Sequence, residues 1–187
     1  MIIFQKIRWK NFLSTGDHWS EIDFLGHTTN LVVGTNGSGK STMLDALTFS
    51  LFNKPFRKIN KSQLINATNE KDCVVEVEFT VNNKDYLVRR SIKPNKFDIE
   101  VNGTLLHKES DDRLNQKILE ESILKVNYKS FTQIVILGSS SFVPFMQLST
   151  SNRRDVIEDL LDIRIFSAMN SLLSLIHISE PTRPLSI

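Results

Sequence analysis

Between positions 73 and 81 the chain alternates with a period of two. Cys73, Val75, Val77, Phe79 and Val81 fall on one side, and Val74, Glu76, Glu78 and Thr80 on the other. That alternation predicts a half-buried antiparallel strand. Asn82-Asn83-Lys84 is a hairpin turn into a second strand over 86–92, residues 97–101 form a third, and Asn102-Gly103 is a tight-turn signal before 104–106. The stretch 73–106 therefore reads as an antiparallel meander. Upstream, 2–12 with Ile3, Ile7 and Trp9 is a predicted strand, and Asn11, Ser14, Thr15 and Gly16 mark the turn after it. Trp19, Ile22 and Phe24 suggest a further strand. The apolar run Asn30-Leu-Val-Val33 suits a short buried strand, and 42–52 suits a helix. Downstream, Leu114, Ile118, Leu119 and Ile123 share one face of a helix over 111–124, with Ser110 as its N-cap. Residues 131–137 read as another strand, ended by Gly138 and the serines after it. The stretch 151–161 is a helix with Val156, Ile157, Leu160 and Leu161 inward, and 163–172 continues as a second helical segment.

The junction between the run 30–33 and the helix 42–52 carries the chemistry. Gly34, Thr35, Asn36, Gly37, Ser38, Gly39, Lys40 and Ser41 are a full match to Gly-x-x-x-x-Gly-Lys-Ser/Thr. In that loop the glycines let backbone N–H groups close around a triphosphate. The lysine, Lys40, reaches the β- and γ-phosphates, and the Ser41 hydroxyl is a Mg²⁺ ligand. The following helix presents free N–H groups and the positive end of its dipole to the anion. The residues thus predict ATP and Mg²⁺ at 34–41, with Thr42 as an additional phosphate contact.

Composition adds boundaries. The 187 residues, 40% hydrophobic and 24% charged, are those of an ordinary globular chain with one real core. A net charge of +2 is too small to argue nucleic-acid binding by itself. With Cys73 as the single cysteine there is neither an internal disulfide nor a thiolate metal cage. The start of the chain lacks signal-peptide features and no run reaches membrane-span length, so the expectation is a cytoplasmic protein with no membrane partner.

Smaller signals weigh less. Lys54, Arg57, Lys58 and Lys61 form a basic cluster that suits DNA phosphates or, more simply, a solvated loop. Arg89 and Arg90 point to opposite faces of their strand. Arg153 and Arg154 stand near a helix start, where the dipole offers cations nothing. His18, His27 and His107 have no metal-ligand spacing, and Asp155, Glu158, Asp159 and Asp162 read as a solvated helix face.

Taken together, the residues resemble a known family. Ile7-Arg-Trp-Lys-Asn-Phe12, then the loop with Asn36 inside it and Leu44-Asp-Ala46 behind it, is similar to the N-terminal ATPase lobe of SMC-like DNA-repair proteins. Phe131-Thr-Gln-Ile-Val-Ile-Leu-Gly138, Arg153-Arg154 and the stretch 158–163 match the region where the SbcC-type ATPases end this lobe and enter a coiled coil. The resemblance spans 1–172. It implies an α/β P-loop NTPase fold: the N-terminal lobe of an ABC/SMC-type ATPase head, with a mixed sheet and an antiparallel β meander. It further implies head-to-head homodimers, DNA and a metallophosphoesterase-type nuclease subunit as partners, and a location in the cytoplasm, or the host cytoplasm for a phage gene. The function implied is ATP-gated DNA repair and recombination. A structural DNA-tethering ATPase and a fragment inactive on its own remain as alternatives, because the family's signature motif, acidic Walker B pair and switch histidine lie in a second lobe and do not occur here. Two positions depart from the family. Leu137 stands where Gln is usual, with Gln133 and Gln147 nearby, and Leu13 with Ser14 stands where a basic residue is usual.

The last residues, 173–187, are read apart. Positions 173–183 can be encoded by a string resembling a transposon-type sequencing adapter, so this tail is expected to be non-native.

Overall fold

The computed structural model describes residues 2–106, 111–136, 145–161 and 163–179. They belong to two compact units, Met1–Phe142 and Val143–Ile187.

The first unit is organised on β3 (Cys73–Val81), the strand with the cleanest alternation. With β1 (Ile2–Lys10), β2 (Ser20–Asp23), β4 (Lys84–Ile92), β5 (Lys96–Val101) and β6 (Thr104–Leu105) it forms a sheet of order β2-β1-β3-β4-β5-β6, antiparallel at every pairing. Both predicted hairpin turns form. Asn82 and Asn83 have φ of 49° and 63°, and Asn102 and Gly103 have 50° and 78°, the doubly positive φ of a type I′ turn.

The odd residues of β3 make the core face. Val77 sits in a row with Ile22, Ile7, Val88 and Ile99, and Phe79 pairs Phe4 and Tyr86. In β1 the apolar phase changes partway. Ile2 and Phe4 pair Val81 and Phe79, and Ile7 and Trp9 pair Val77 and Val75, because Gln5 is an extra residue in a bulge between Phe4 and Lys6. Ile3, expected among the apolar positions, consequently lies on the opposite side and is exposed.

The even face is polar and ordered by charge. Across the strands run Glu21, Arg8, Glu76, Arg89 and Asp98, alternating in sign. Glu76 is buried because Arg8 and Arg89 close over it from both neighbouring strands and donate to its two carboxylate oxygens.

α1 (Thr42–Phe52) packs on the core face and is buried on nearly every side, including Asp45, Thr48 and Ser50. Its hydroxyls bond back to its own carbonyls, Thr48 to Leu44 O at 2.9 Å and Ser50 to Leu47 O at 2.9 Å. Its C-terminal carbonyls are met by side chains. Arg90, only 4% exposed, donates Nε to Ser50 O at 3.0 Å, and Gln116 donates Nε2 to Leu51 O at 2.9 Å. Asn53 ends the helix in the left-handed conformation.

Several other expectations change. Residues 30–33 form no strand: Leu31 and Val33 are 86% and 80% exposed. A short apolar run becomes a strand only when neighbours accept its ladder bonds, and none of the six strands pairs with it. Most of 131–137 falls in a helix, α3 (Tyr128–Ile134), rather than a strand; Leu137 and 138–144 lie outside the described residues. Asn127 caps α3 by accepting Ser130 N at 2.8 Å, and Phe131 docks on Phe4 and Phe52, which outweighs the β-branched run. Over 111–124 the helix is α2 (Asp112–Lys117) continued by a wider π-helical stretch, Ile118–Leu124. That extra width rotates the apolar stripe, so Leu119, Ile123 and Leu124 are buried while Leu114 is exposed. The N-cap is Asp111, accepting from Arg113 N; Ser110 lies outside the described residues.

The second unit holds a short 3₁₀ turn (Phe145–Gln147), α4 (Thr150–Leu160) and α5 (Arg164–Ser179). Val156 is buried, but Ile157 and Leu161, expected inward, are exposed, as are Ile165, Phe166, Met169, Leu172 and Leu173 of α5. An apolar stripe turns inward only where another surface covers it. α5 runs without a break past position 172.

Two outcomes follow from this packing. Glu76→Ala strips the shared carboxylate from two guanidiniums that are each a little over a third exposed, and should cost about 1–3 kcal/mol in urea denaturation; an unchanged midpoint would show that the charge row contributes nothing. Burial pushes the Cys73 thiol up to about 12, so it stays protonated at pH 8. Disulfide reagents should label it at least ~100-fold more slowly in native than in urea-unfolded protein, and equal rates would contradict its burial.

Candidate functional site

The loop 34–41 leads straight into the buried N-terminus of α1. Its path needs glycine at two points where φ is strongly positive, 86° at Gly37 and 93° at Gly39. At Gly34 space is tight, and a Cβ there would require the Ser38 hydroxyl to move. Two turns shape the loop, Ser38 N donating to Thr35 O at 3.2 Å and Thr42 N to Gly39 O at 2.9 Å. Among the described residues the N–H groups of Gly37, Gly39 and Lys40 meet no acceptor. Lys40 folds back over the loop, its Nζ donating to Gly34 O at 2.6 Å and Thr35 O at 2.7 Å. Ser41 is exposed and its hydroxyl makes no capping bond.

The loop opens onto a cavity of about 470 Å³ lined by Asn36, Gly37, Gly39, Lys40, Ser41 and Thr42 on one side. That volume lies within the ~300–1,000 Å³ of small-molecule sites. The facing wall comes from elsewhere in the chain: Leu13 and Ser14 after β1, Gln63 within the 3₁₀ turn Lys61–Leu64, and Ile65 and Ala67 after it. These two segments are stitched together. Phe12 bridges Ile65, Leu13 N donates to Leu64 O at 2.6 Å, and Asn66 N to Asn11 O at 2.9 Å. Asn66 Nδ2 also reaches Leu13 O and Thr15 O at 3.2 and 3.1 Å. Leu13 and Ser14, singled out by sequence for lacking a basic residue, thus line the cavity after all. Gln63, Ile65 and Ala67 carry no local signature, and only the long-range pairing of 11–13 with 64–66 places them.

Asp45, in the Leu-Asp-Ala stretch behind the loop, is fully buried and holds Arg57 at the cavity, accepting from its N at 2.9 Å and its Nε at 2.6 Å. The basic cluster is dispersed: Arg57 is tied to Asp45, Lys54 lies over the Tyr128 ring at 5.7 Å, and Lys61 lines a different cavity. Burial, and secondarily the nearby Asp45 charge, raise the Tyr128 phenol, whose hydroxyl donates to Pro55 O at 2.8 Å. Gln133 is half-buried, with Oε1 lacking a partner, but does not line the loop cavity.

The donor set suits a phosphate chain with a divalent cation: free amides at a helix N-terminus, one mobile ammonium and one free hydroxyl. The Lys40 ammonium is held on two carbonyls of the loop itself.

Comparison with known proteins agrees. The AAA domain family matches residues 6–174. "Exonuclease subunit 2" of Enterobacteria phage T4 is 42% identical over 167 residues, covering 89% of this chain and 30% of that protein. "DNA double-strand break repair Rad50 ATPase" of Sulfolobus acidocaldarius is 28% identical over 166 residues, covering 87% and 18%. This chain therefore spans less than a third of either relative. A solved Smc head domain with an extended coiled coil, from Pyrococcus furiosus, shares the fold at a TM-score of 0.62 and 23% identity, covering 91% of this chain and 44% of that one. The fold is that of the Smc head domain, and the family match over most of its length shows that the chain belongs to the AAA domain family.

Proposed function

We propose that this chain is the ATP-binding lobe of an SMC-like ATPase subunit in a DNA-repair and recombination exonuclease complex, in which ATP binding and hydrolysis gate a partner nuclease on DNA ends. The observation that carries the reading is the loop 34–41, with its free amides and self-bonded Lys40, at the N-terminus of α1 and facing the cavity. The names of the phage and archaeal relatives supply the repair context.

In this reading the backbone of Gly34, Thr35, Asn36, Gly37, Ser38 and Gly39 wraps the phosphates. Lys40 leaves the carbonyls of Gly34 and Thr35 for the β- and γ-phosphate oxygens, and Thr42 adds a contact at the first turn of α1. Ser41 holds Mg²⁺, which when bound neutralises phosphate charge. Leu13, Ile65 and Ala67 offer apolar contact to the rest of the nucleotide, and Arg57, fixed by Asp45, sets charge at its edge. No residue here is assigned to orient an attacking water. That role, with the second Mg²⁺ anchor, falls to an acidic pair in a second lobe, and two heads close over two nucleotides. The exposed Leu31, Val32 and Val33 support a lobe that expects such a neighbour. The nuclease chemistry belongs to a metallophosphoesterase-type partner.

A structural DNA-tethering role is the second reading, favoured by the fold shared with the Smc head. A co-encoded metallophosphoesterase would decide for the exonuclease complex, and its absence for tethering.

Lys40→Ala should weaken fluorescent-ATP binding by at least ~100-fold, about 2.7 kcal/mol, through loss of charge-assisted bonds; unchanged affinity would refute the site. The chain alone should hydrolyse ATP no faster than buffer in a phosphate-release assay, and robust Lys40-dependent turnover would show that it carries its own water-orienting group.

A further inference from the structure

A second cavity, of about 270 Å³, lies at the opposite end of α1 from the phosphate loop. It is built from four segments: Asn53 after α1, Lys61 of the 3₁₀ turn, Arg90, Asn95, Lys96 and Phe97 around the β4–β5 turn, and Asp112, Arg113 and Gln116 of α2. Lys61, Arg90, Lys96 and Arg113 face it against the single carboxylate of Asp112. Asp112 is engaged with Asn95, whose Nδ2 lies 3.5 Å from its Oδ2.

Arg90 forms the floor. Its guanidinium carbon lies over the Phe97 ring, 3.6 Å from the centroid, with Nε on Ser50 O and Nη2 on Gln116 Oε1 at 2.6 Å. All of these partners are neutral, and among the described residues no carboxylate pairs with it. A buried cation is ordinarily paired with an anion. Lys61 stands above, donating to Asn95 Oδ1 at 3.4 Å and lying 5.8 Å from the Phe49 ring. The negative end of α1 does not oppose an anion here, because Arg90 and Gln116 already satisfy Ser50 O and Leu51 O.

We propose that this cavity is a second anion site, taking one phosphate group, either free orthophosphate or a polynucleotide backbone phosphate, on Arg90, Lys61, Lys96 and Arg113. Arginine supplies a planar fork matched to phosphate and lysine a point charge. Asn53 and Asn95 add amide donors. The volume admits a phosphate with several waters around it, and the one aromatic ring in the lining, Phe97, is already covered by Arg90. Burial first and the Arg90 charge second lower the Lys61 ammonium, and burial lowers Arg90 to about 9, still charged at neutral pH. Asp112 opposes both shifts, and Glu120 opposes that of Arg90, but burial outweighs them.

The test removes the known competitor. In the full chain carrying Lys40→Ala, which disables the phosphate loop, orthophosphate is titrated and followed by ³¹P line broadening. Saturable binding is expected, and Lys96→Gln with Arg113→Gln, both exposed positions, should weaken it about tenfold or more. Lys61→Gln alone should weaken it too, which covers a double variant that fails to fold. A single-stranded oligonucleotide with 5′- and 3′-hydroxyl ends, carrying only backbone phosphates, that displaces the orthophosphate assigns the site to a polynucleotide backbone; failure to displace assigns it to free phosphate. No saturable binding in the Lys40→Ala protein, or binding that these substitutions leave unchanged, overturns the site while leaving the ATP reading intact.

Discussion

A helix buried on nearly all sides must have something for its ends, and this constraint organises the molecule. α1 lies against the core face of the sheet with its carbonyls at Ser50 and Leu51 away from bulk water. A buried carbonyl without a donor costs about 1–3 kcal/mol. Arg90 and Gln116 supply the donors, one from the sheet and one from α2. The N-terminal end is solved the other way: it is left open, and the glycine loop turns its unmet amides outward. The closed end fixes the helix, and the fixed helix gives the open end a defined aim.

Charge on the sheet follows from the same economy of partners. β3 is central, so its even residues are flanked on both sides. Glu76 is buried not by apolar packing but by two guanidiniums that arrive from β1 and β4. Arg89 and Arg90, adjacent in sequence, end in opposite situations. One serves the polar face beside Glu76, where that carboxylate's hydrogen bond keeps its guanidinium firmly protonated. The other lies under the core against α1.

What could be read in the sequence was what the chain decides locally. The alternation over 73–81, the Asn-Asn and Asn-Gly turns and the loop-helix junction at Thr42 all depend on residues within a few positions. The misreadings share a different cause. The run 30–33 needs a neighbouring strand to become one. Residues 131–134 are β-branched enough for a strand, yet Asn127 and the Phe131 contacts make them a helix. The predicted stripe over 111–124 assumed one helical pitch, which the π-helical stretch breaks at Ile118. The far wall of the loop cavity was invisible because Gln63, Ile65 and Ala67 acquire meaning only through bonds to residues some fifty positions earlier.

The bulge at Gln5 has a wider reach than one strand. β1 carries its apolar side chains in two phases, Ile2 and Phe4 before the bulge and Ile7 and Trp9 after it. An unbulged strand would turn one of these pairs to water in any register, so pairing with β3 has one satisfactory alignment rather than several. β1 ends just before Leu13 and Ser14, which line the cavity. A single inserted residue near the start of the chain therefore works as a length standard, setting how far the strand carries that wall toward the phosphate loop.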